Sequence, residues 1–186
     1  PPANPGEFEE CVFAHIRKPA RGNLEGYRIT GGYDALKEAL TQTSDHLLVT
    51  ITESQLAGRG GAGFSTGKKW EMVAEAPGQP KTIVCNADEG EPGCFKDRVL
   101  LNYDPHAILE GMILAAFATG ASRGFIYLRY EYPETQAILE RAIEDALKAG
   151  LLGSTIGGKT GFEFNVYVRR GGGAYICGEE GSLLNS

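Results

Sequence analysis

The stretch Thr82-Ile83-Val84-Cys85-Asn86-Ala87-Asp88-Glu89-Gly90-Glu91-Pro92-Gly93 decides how the rest of this chain is read. Thr82 to Cys85 is a short run of apolar and β-branched residues, with Pro80 before it and polar residues after it, the pattern of a buried strand. The character then changes at once, because an amide and three acids (Asn86, Asp88, Glu89 and Glu91) fall within six residues.

Downstream the pattern repeats. The sequence predicts a helix from about Pro105 to Thr119, with Pro105 in its first turn and Gly120 at its end. Gly124-Phe125-Ile126-Tyr127-Leu128 reads as a second strand. Pro133 opens a long amphipathic helix with the stripe Leu139, Ala142, Ile143, Ala146 and Leu147, closed by Lys148-Ala149-Gly150. Phe162 to Val168 alternates as a third strand, and another helix begins near Gly178. This β-α-β-α-β-α order predicts an α/β fold, a Rossmann-like parallel sheet with helices on both faces. Ligands of such sheets bind outside the carboxyl ends of the strands. The acidic run 86–91 and the run Gly171 to Glu180 both follow strands, so they are expected to converge on one site.

Upstream the signals are weaker. Residues 1–31 carry no clean period and read as an N-terminal arm of extended chain and turns, leaving 32–186 as the ligand-binding domain. Tyr33 to Leu40 spaces one short helical face, whereas residues 46–56 suit a strand or a helix about equally. Residues 58–67 form a glycine-dense loop, after which Thr66 is placed to cap a helix over 67–73.

The 186 residues fit one domain, and a net charge of −6 argues against nucleic acid, whose binding relies on basic side chains. No apolar run reaches membrane-spanning length and no basic-then-apolar leader is present, so a cytoplasmic protein without direct membrane insertion is expected. Cys11, Cys85, Cys94 and Cys177 form no C-x-x-C pair, so neither zinc nor a local iron–sulfur cluster is supported, and no metal site is assigned. The 26 glycines, about twice the usual share of roughly 7%, mark backbone that turns tightly or lies close to a ligand.

Three segments carry chemistry. Gly58-Arg59-Gly60-Gly61-Ala62-Gly63 satisfies G-x-G-x-x-G, but no clear strand precedes it. It reads as a loop whose amides approach a phosphate or a flat ring, with Arg59, Lys68 and Lys69 adding positive charge, or as a plain structural turn. Asn86 to Gly93 serves a metal, acid–base chemistry or hydrogen bonding to a polar ligand, or is an exposed acidic loop; no histidine lies within ten residues, which disfavours a transition metal. Gly171-Gly172-Gly173-Ala174-Tyr175-Ile176-Cys177-Gly178-Glu179-Glu180 joins a glycine loop to a helix start. Its acids either face a ligand or cap that helix.

Taken in order, G-R-G-G-A-G-F-x-T-G-x-K-W (58–70), C-N-A-D-E-G-E-P-G (85–93) and Y-I-C-G-E-E (175–180) resemble one family, the NADH dehydrogenase flavoprotein subunit. That family is shared by respiratory complex I, NAD-reducing hydrogenases and NAD-dependent formate dehydrogenases, and the resemblance runs from about Gly32 to the end. It implies that Gly58, Arg59, Gly60, Lys69, Asn86, Asp88, Glu89, Tyr175, Gly178, Glu179 and Glu180 line FMN. It further implies that Gly61, Ala62, Phe64, Lys69, Glu91 and Glu180 meet NADH, with Phe64 on the adenine and Glu91 and Glu180 toward the nicotinamide. Glu91, Lys69 and Glu180 are then the residues closest to hydride transfer, Lys69 stabilising charge on the reduced flavin.

The same resemblance implies partners: a thioredoxin-like [2Fe–2S] subunit and a further iron–sulfur subunit, at the cytoplasmic or matrix face of a membrane complex or in the cytoplasm. A [4Fe–4S] segment is expected only in a carboxyl-terminal part beyond these residues, so the chain reads as a fragment. Met72, Ser65 and Cys94 depart from the common family residues. Three alternatives remain: the NAD-reducing direction, with a slight lean toward the hydrogenase or formate dehydrogenase branch; a Rossmann dehydrogenase acting directly on a substrate; and a non-catalytic nucleotide-binding assembly module.

Overall fold

The computed structural model describes residues 11–18, 20–59 and 62–186. Among the described residues the amino-terminal part forms four helices: α1 (Leu24–Ile29), α2 (Asp34–Leu40), α3 (Ser44–Glu53) and α4 (Thr66–Glu75). Where the sequence reading left 20–31 as arm and turns, Asn23 caps α1 by accepting from the Gly26 amide, and Tyr27 enters the core. Residues 1–10 lie outside the described residues. The ambiguous 46–56 run is settled as helix, Thr43 capping α3 through the His46 amide. Among the described residues, therefore, no strand precedes the glycine loop. Instead Ala57 bridges Ser65, and Ser65, one residue before the expected Thr66, caps α4. The helices α3 and α4 meet at Gly67, where a Cβ would lie 2.4 Å from Thr52 Oγ1, so any side chain there would force them apart.

The second part alternates β1 (Lys81–Ala87), α5 (Lys96–Tyr103), α6 (Pro105–Thr119), β2 (Ala121–Leu128), α7 (Pro133–Lys148), β3 (Asn165–Arg170), a 3₁₀ turn at Tyr175–Gly178 and α8 (Glu180–Asn185). The three strands form a parallel sheet in the order β1-β2-β3, with Ile83↔Gly124↔Val166 and Val84↔Phe125↔Tyr167 in register. The α/β parallel sheet is as expected. Its third strand starts later than the alternation suggested, because residues 153–164 pair as a tight turn first. The helix α5 was not anticipated.

Helices lie on both faces, but unequally. One face (Ile83, Cys85, Ile126, Leu128, Val166) is buried beneath α6 and α7. The other carries α8 at its carboxyl end, where Leu183 packs with Tyr127 and Cys177, and it leaves Val84 39% and Tyr167 50% exposed. The middle of the fold is α6. It packs on β1 and β2 on one side and on α2, α3 and α4 on the other, which explains why it is apolar nearly all round.

The one charged side chain on α6 is Glu110. Its carboxylate accepts from Tyr27 Oη at 2.5 Å, the Tyr33 amide at 2.9 Å and the Leu36 amide at 3.1 Å. The helix α2 has no side-chain cap of its own, and Tyr33 before it takes φ 64°, a conformation uncommon outside glycine. Glu110 supplies the missing cap from another layer. Beside it Arg21 pairs with Asp104 at 3.0 Å, and Tyr33 Oη lies 3.0 Å from His106 Nδ1. No helix among the described residues is long and apolar enough to cross a membrane.

This buried network makes stability sensitive to two of its members. Glu110→Ala strands two backbone amides and a tyrosine hydroxyl in the interior, and is expected to cost about 3 kcal/mol; a urea-unfolding loss under about 1 kcal/mol would refute the capping role. His106 is fully buried and burial lowers its pKa to about 4 from 6.5, with Arg28 and Arg21 acting in the same direction and Asp145 opposing. Because the folded value lies below the unfolded one, the unfolded chain takes up this proton first. The contribution is complete above about pH 6.5 and is lost as pH falls toward about 4. Thermal unfolding across that window should show a decline, and His106→Asn should flatten it.

Candidate functional site

The site begins where β1 ends. Asn86 Oδ1 accepts from the Asp88 amide at 3.1 Å, a local turn that bends the chain off the sheet. Asn86 Nδ2 donates to the Gly178 carbonyl at 2.8 Å, tying the loop after β1 to the segment after β3. The Arg129 amide donates to Ala87 O and the Gly171 amide to Leu128 O, so each strand end holds the start of the next connection. Tyr175 Oη donates to Glu91 Oε1 at 2.5 Å, and Lys69 Nζ donates to Glu180 Oε1 at 3.0 Å. These contacts join the acidic loop, α4 and the segment after β3.

Between them lies a cleft of about 760 Å³. Of the residues singled out from sequence, Arg59, Asn86, Asp88, Glu89, Glu91, Tyr175, Gly178 and Glu179 line it. Lys69 and Glu180 form their ion pair outside that lining, half-exposed or more. Gly58 donates its amide to Phe64 O and so closes the loop that carries Arg59, while Ala62 and the 45%-exposed Phe64 stand on the solvent side of it. Gly60 and Gly61 lie outside the described residues.

The acids have different fates. The Glu179 carboxylate accepts from the Gly181 and Ser182 amides at 2.9 Å each, capping α8, and these bonds lower its pKa. Burial would raise the pKa of Glu89, but the Asp97 amide, the Cys94 thiol and the Arg98 amide outweigh that and hold it below its usual range. Burial also raises Asp88, opposed by Arg129, and the rise prevails. Asp88 Oδ2 is buried without a hydrogen-bond partner among the described residues. Its neighbour Gly178 leaves little room for a side chain, since a Cβ there would sit 3.1 Å from Asp88 O. The Cys94 thiol is pushed up, chiefly by its bond to Glu89, so it is not primed as a nucleophile.

Sequence reasoning did not place Lys96, Asp97 and Ile176 at the cleft, although all three line it. It also missed Arg129 and Tyr132, which hold the acidic loop from behind. The run Phe95-Lys96-Asp97-Arg98 was visible, but no local cap announced that it opens a helix.

Residues 51–186 match the family model described as the Nuo51 FMN-binding domain. The chain is 48% identical over 189 residues to an NADH-quinone oxidoreductase subunit of Aquifex aeolicus, covering 100% of this chain and 44% of that protein. It is 48% identical over 190 residues to the alpha subunit of the NAD-reducing hydrogenase HoxS of Cupriavidus necator, covering 99% of this chain and 32% of the relative. Among solved structures, an NAD+-reducing [NiFe]-hydrogenase in the air-oxidised state superposes with a TM-score of 0.68 at 33% identity, over 95% of this chain and 27% of that one. The chain thus spans less than half the length of these relatives. With the match running from α3 through the acidic loop to α8, this chain belongs to the Nuo51 FMN-binding domain family.

Proposed function

We propose that this chain is the NADH- and FMN-binding module of an NADH:acceptor oxidoreductase, transferring hydride between the two. The observation that carries this reading is the meeting of Arg59, the acidic loop and the Tyr175–Glu179 segment in one cleft at the carboxyl ends of a parallel sheet. The volume, about 760 Å³, is that of a cofactor site.

The residues fit a flavin mononucleotide. Asp88 Oδ2 is an unused buried acceptor, suited to a ribityl hydroxyl or a ring N–H. Asn86, already spanning the two loops, would fix the isoalloxazine edge, with the Gly178 backbone as floor. Arg59 and the amides of its loop would take phosphate charge. Bound FMN would supply the acceptor for the nicotinamide hydride, needing no protein nucleophile. The Lys69–Glu180 pair is solvent-exposed and therefore weak, so Lys69 can exchange Glu180 for negative charge developing in the cleft. Phe64 offers an exposed ring for adenine, and Glu91, oriented by Tyr175, offers a carboxylate to the carboxamide.

Electrons would leave to iron–sulfur centres: a [4Fe–4S] segment elsewhere in the polypeptide, a thioredoxin-like [2Fe–2S] subunit and a further iron–sulfur subunit. The relatives' names support assembly, since each is called a subunit, and they include both an NADH-quinone oxidoreductase and an NAD-reducing hydrogenase. The NAD-reducing direction is accordingly a second reading, and the local site serves either. We place the reaction in the cytoplasm or at the cytoplasmic or matrix face of a membrane complex.

Anaerobic titration of the FMN-loaded protein with NADH is expected to bleach the oxidised-flavin absorbance stoichiometrically. Lys69→Ala and Glu91→Ala should slow that bleaching by about 100-fold, the scale for losing one charge-stabilising or orienting group. Bound flavin that NADH does not reduce would rule out hydride transfer and leave a non-catalytic nucleotide-binding module.

A further inference from the structure

Glu89 is the most fully used acid at the cleft and also the most buried, at 6% exposure. Its Oε1 accepts from the Asp97 amide at 3.0 Å and the Cys94 thiol at 3.2 Å. Its Oε2 accepts from the Arg98 amide at 3.3 Å and the Tyr132 hydroxyl at 3.4 Å. An ionised carboxylate offers about four lone-pair sites, and all are taken by protein donors. The backbone carbonyl of the same residue accepts from the Arg129 guanidinium. Its neighbour Asp88 keeps a buried oxygen with no partner among the described residues. Adjacent acids in one motif thus differ in use, although both line the cleft: protein donors fill the Glu89 carboxylate, whereas Asp88 Oδ2 has none among the described residues.

We propose that Glu89 is a positioning residue. Its carboxylate clamps the loop 86–94 to the first turn of α5 and to α7's leading Tyr132, and it holds Asn86, Asp88 and Glu91 in the geometry that receives the cofactors. Although Glu89 lines the cleft, its own oxygens are filled by protein donors and do not bond the flavin that the resemblance sets beside them. The helix α5 has no local side-chain cap, so Glu89 serves both partners at once: it satisfies the orphan amides of α5 while α5 anchors the loop. The tie at the other end of the loop is Asn86 to Gly178. With both ends held, Asp88 is kept in place although its buried Oδ2 has no hydrogen-bond partner among the described residues. The functional half of this inference rests on the flavin reading of the cleft; the clamp itself does not.

The test uses the full-length protein with Glu89→Gln, Glu89→Asp and Glu89→Ala, in two measurements. Amide hydrogen exchange without any cofactor is expected to speed up at least tenfold at Asp97, Arg98 and the 86–94 loop in all three. FMN dissociation constants, from flavin fluorescence well below each variant's melting temperature, are expected to rise at least tenfold. Glu89→Asp should fail to rescue although it keeps the charge, because the shorter side chain cannot span both amides. Combination with Asn86→Ala should be less than additive, since both residues hold one loop. If a Glu89 variant does not fold, Arg129→Met and Tyr132→Phe loosen the same loop from outside and should shift exchange and affinity in the same direction. Unchanged exchange overturns the clamp. Faster exchange with unchanged FMN affinity leaves Glu89 merely structural and overturns the positioning role. Affinity retained by Glu89→Asp alone would mean that the charge acts on the flavin directly, which also overturns it. Faster exchange in a protein that takes up no FMN even as wild type supports the clamp and refutes the flavin reading.

Discussion

Parallel pairing of β2 with both β1 and β3 constrains where every loop of this protein can run. Parallel strands need long crossovers, and right-handed crossovers that step the same way across a sheet bury the same face. The order β1-β2-β3 therefore puts α6 and α7 together on one side. It also brings the carboxyl ends of β1 and β3 to one edge, with their loops free to meet above β2. The hydrogen bond from Asn86 to the Gly178 carbonyl closes that meeting. The helix α8, leaving on the opposite face, brings Glu180 toward Lys69 of α4.

The amino-terminal helices depend on the same sheet through α6. A helix placed between a sheet and three other helices cannot present a polar face to water, so its one carboxylate must be satisfied inside. Glu110 is satisfied by Tyr27, Tyr33 and Leu36, and this joins the two halves of the chain by hydrogen bonds that apolar packing alone would leave unspecific. The glycine loop is in turn framed by α3 and α4, whose contact at Gly67 is too close to admit a side chain.

The cleft shows how one residue type is divided between scaffold and ligand. Glu89 and Glu179 spend their carboxylates on helix amides, and Glu180 is paired with Lys69. Asp88 keeps a buried oxygen free of partners among the described residues, and Glu91 sits under Tyr175. A charge committed to two backbone amides costs energy to redirect, whereas an exposed pair exchanges partners readily. Negative charge near the cleft is thus partly fixed background and partly available for recognition.

Much was legible from residues alone. The run Thr82–Cys85, the helix punctuation by Pro105, Gly120 and Pro133, and the polar bursts after two strands determined the α/β order and the approximate place of the site, because strand and helix periods and proline geometry are local properties. Three motifs in sequence determined the family resemblance. What only the tertiary structure decided was every feature whose partner lies far along the chain. The helix α1 escaped notice although Asn23 caps it locally, because what draws Tyr27 into the core is Glu110, 83 residues away. The helix α5 escaped because its cap is Glu89, eight residues upstream across a turn and not at the helix start. The strand-or-helix ambiguity at 46–56 was resolved by packing against α4 and α6. Which acids are taken up by protein donors depended on tertiary partners. Of the adjacent Asp88 and Glu89, only the Glu89 carboxylate is filled, by donors of α5 and of Tyr132 that are in reach only once α5 and α7 are in place.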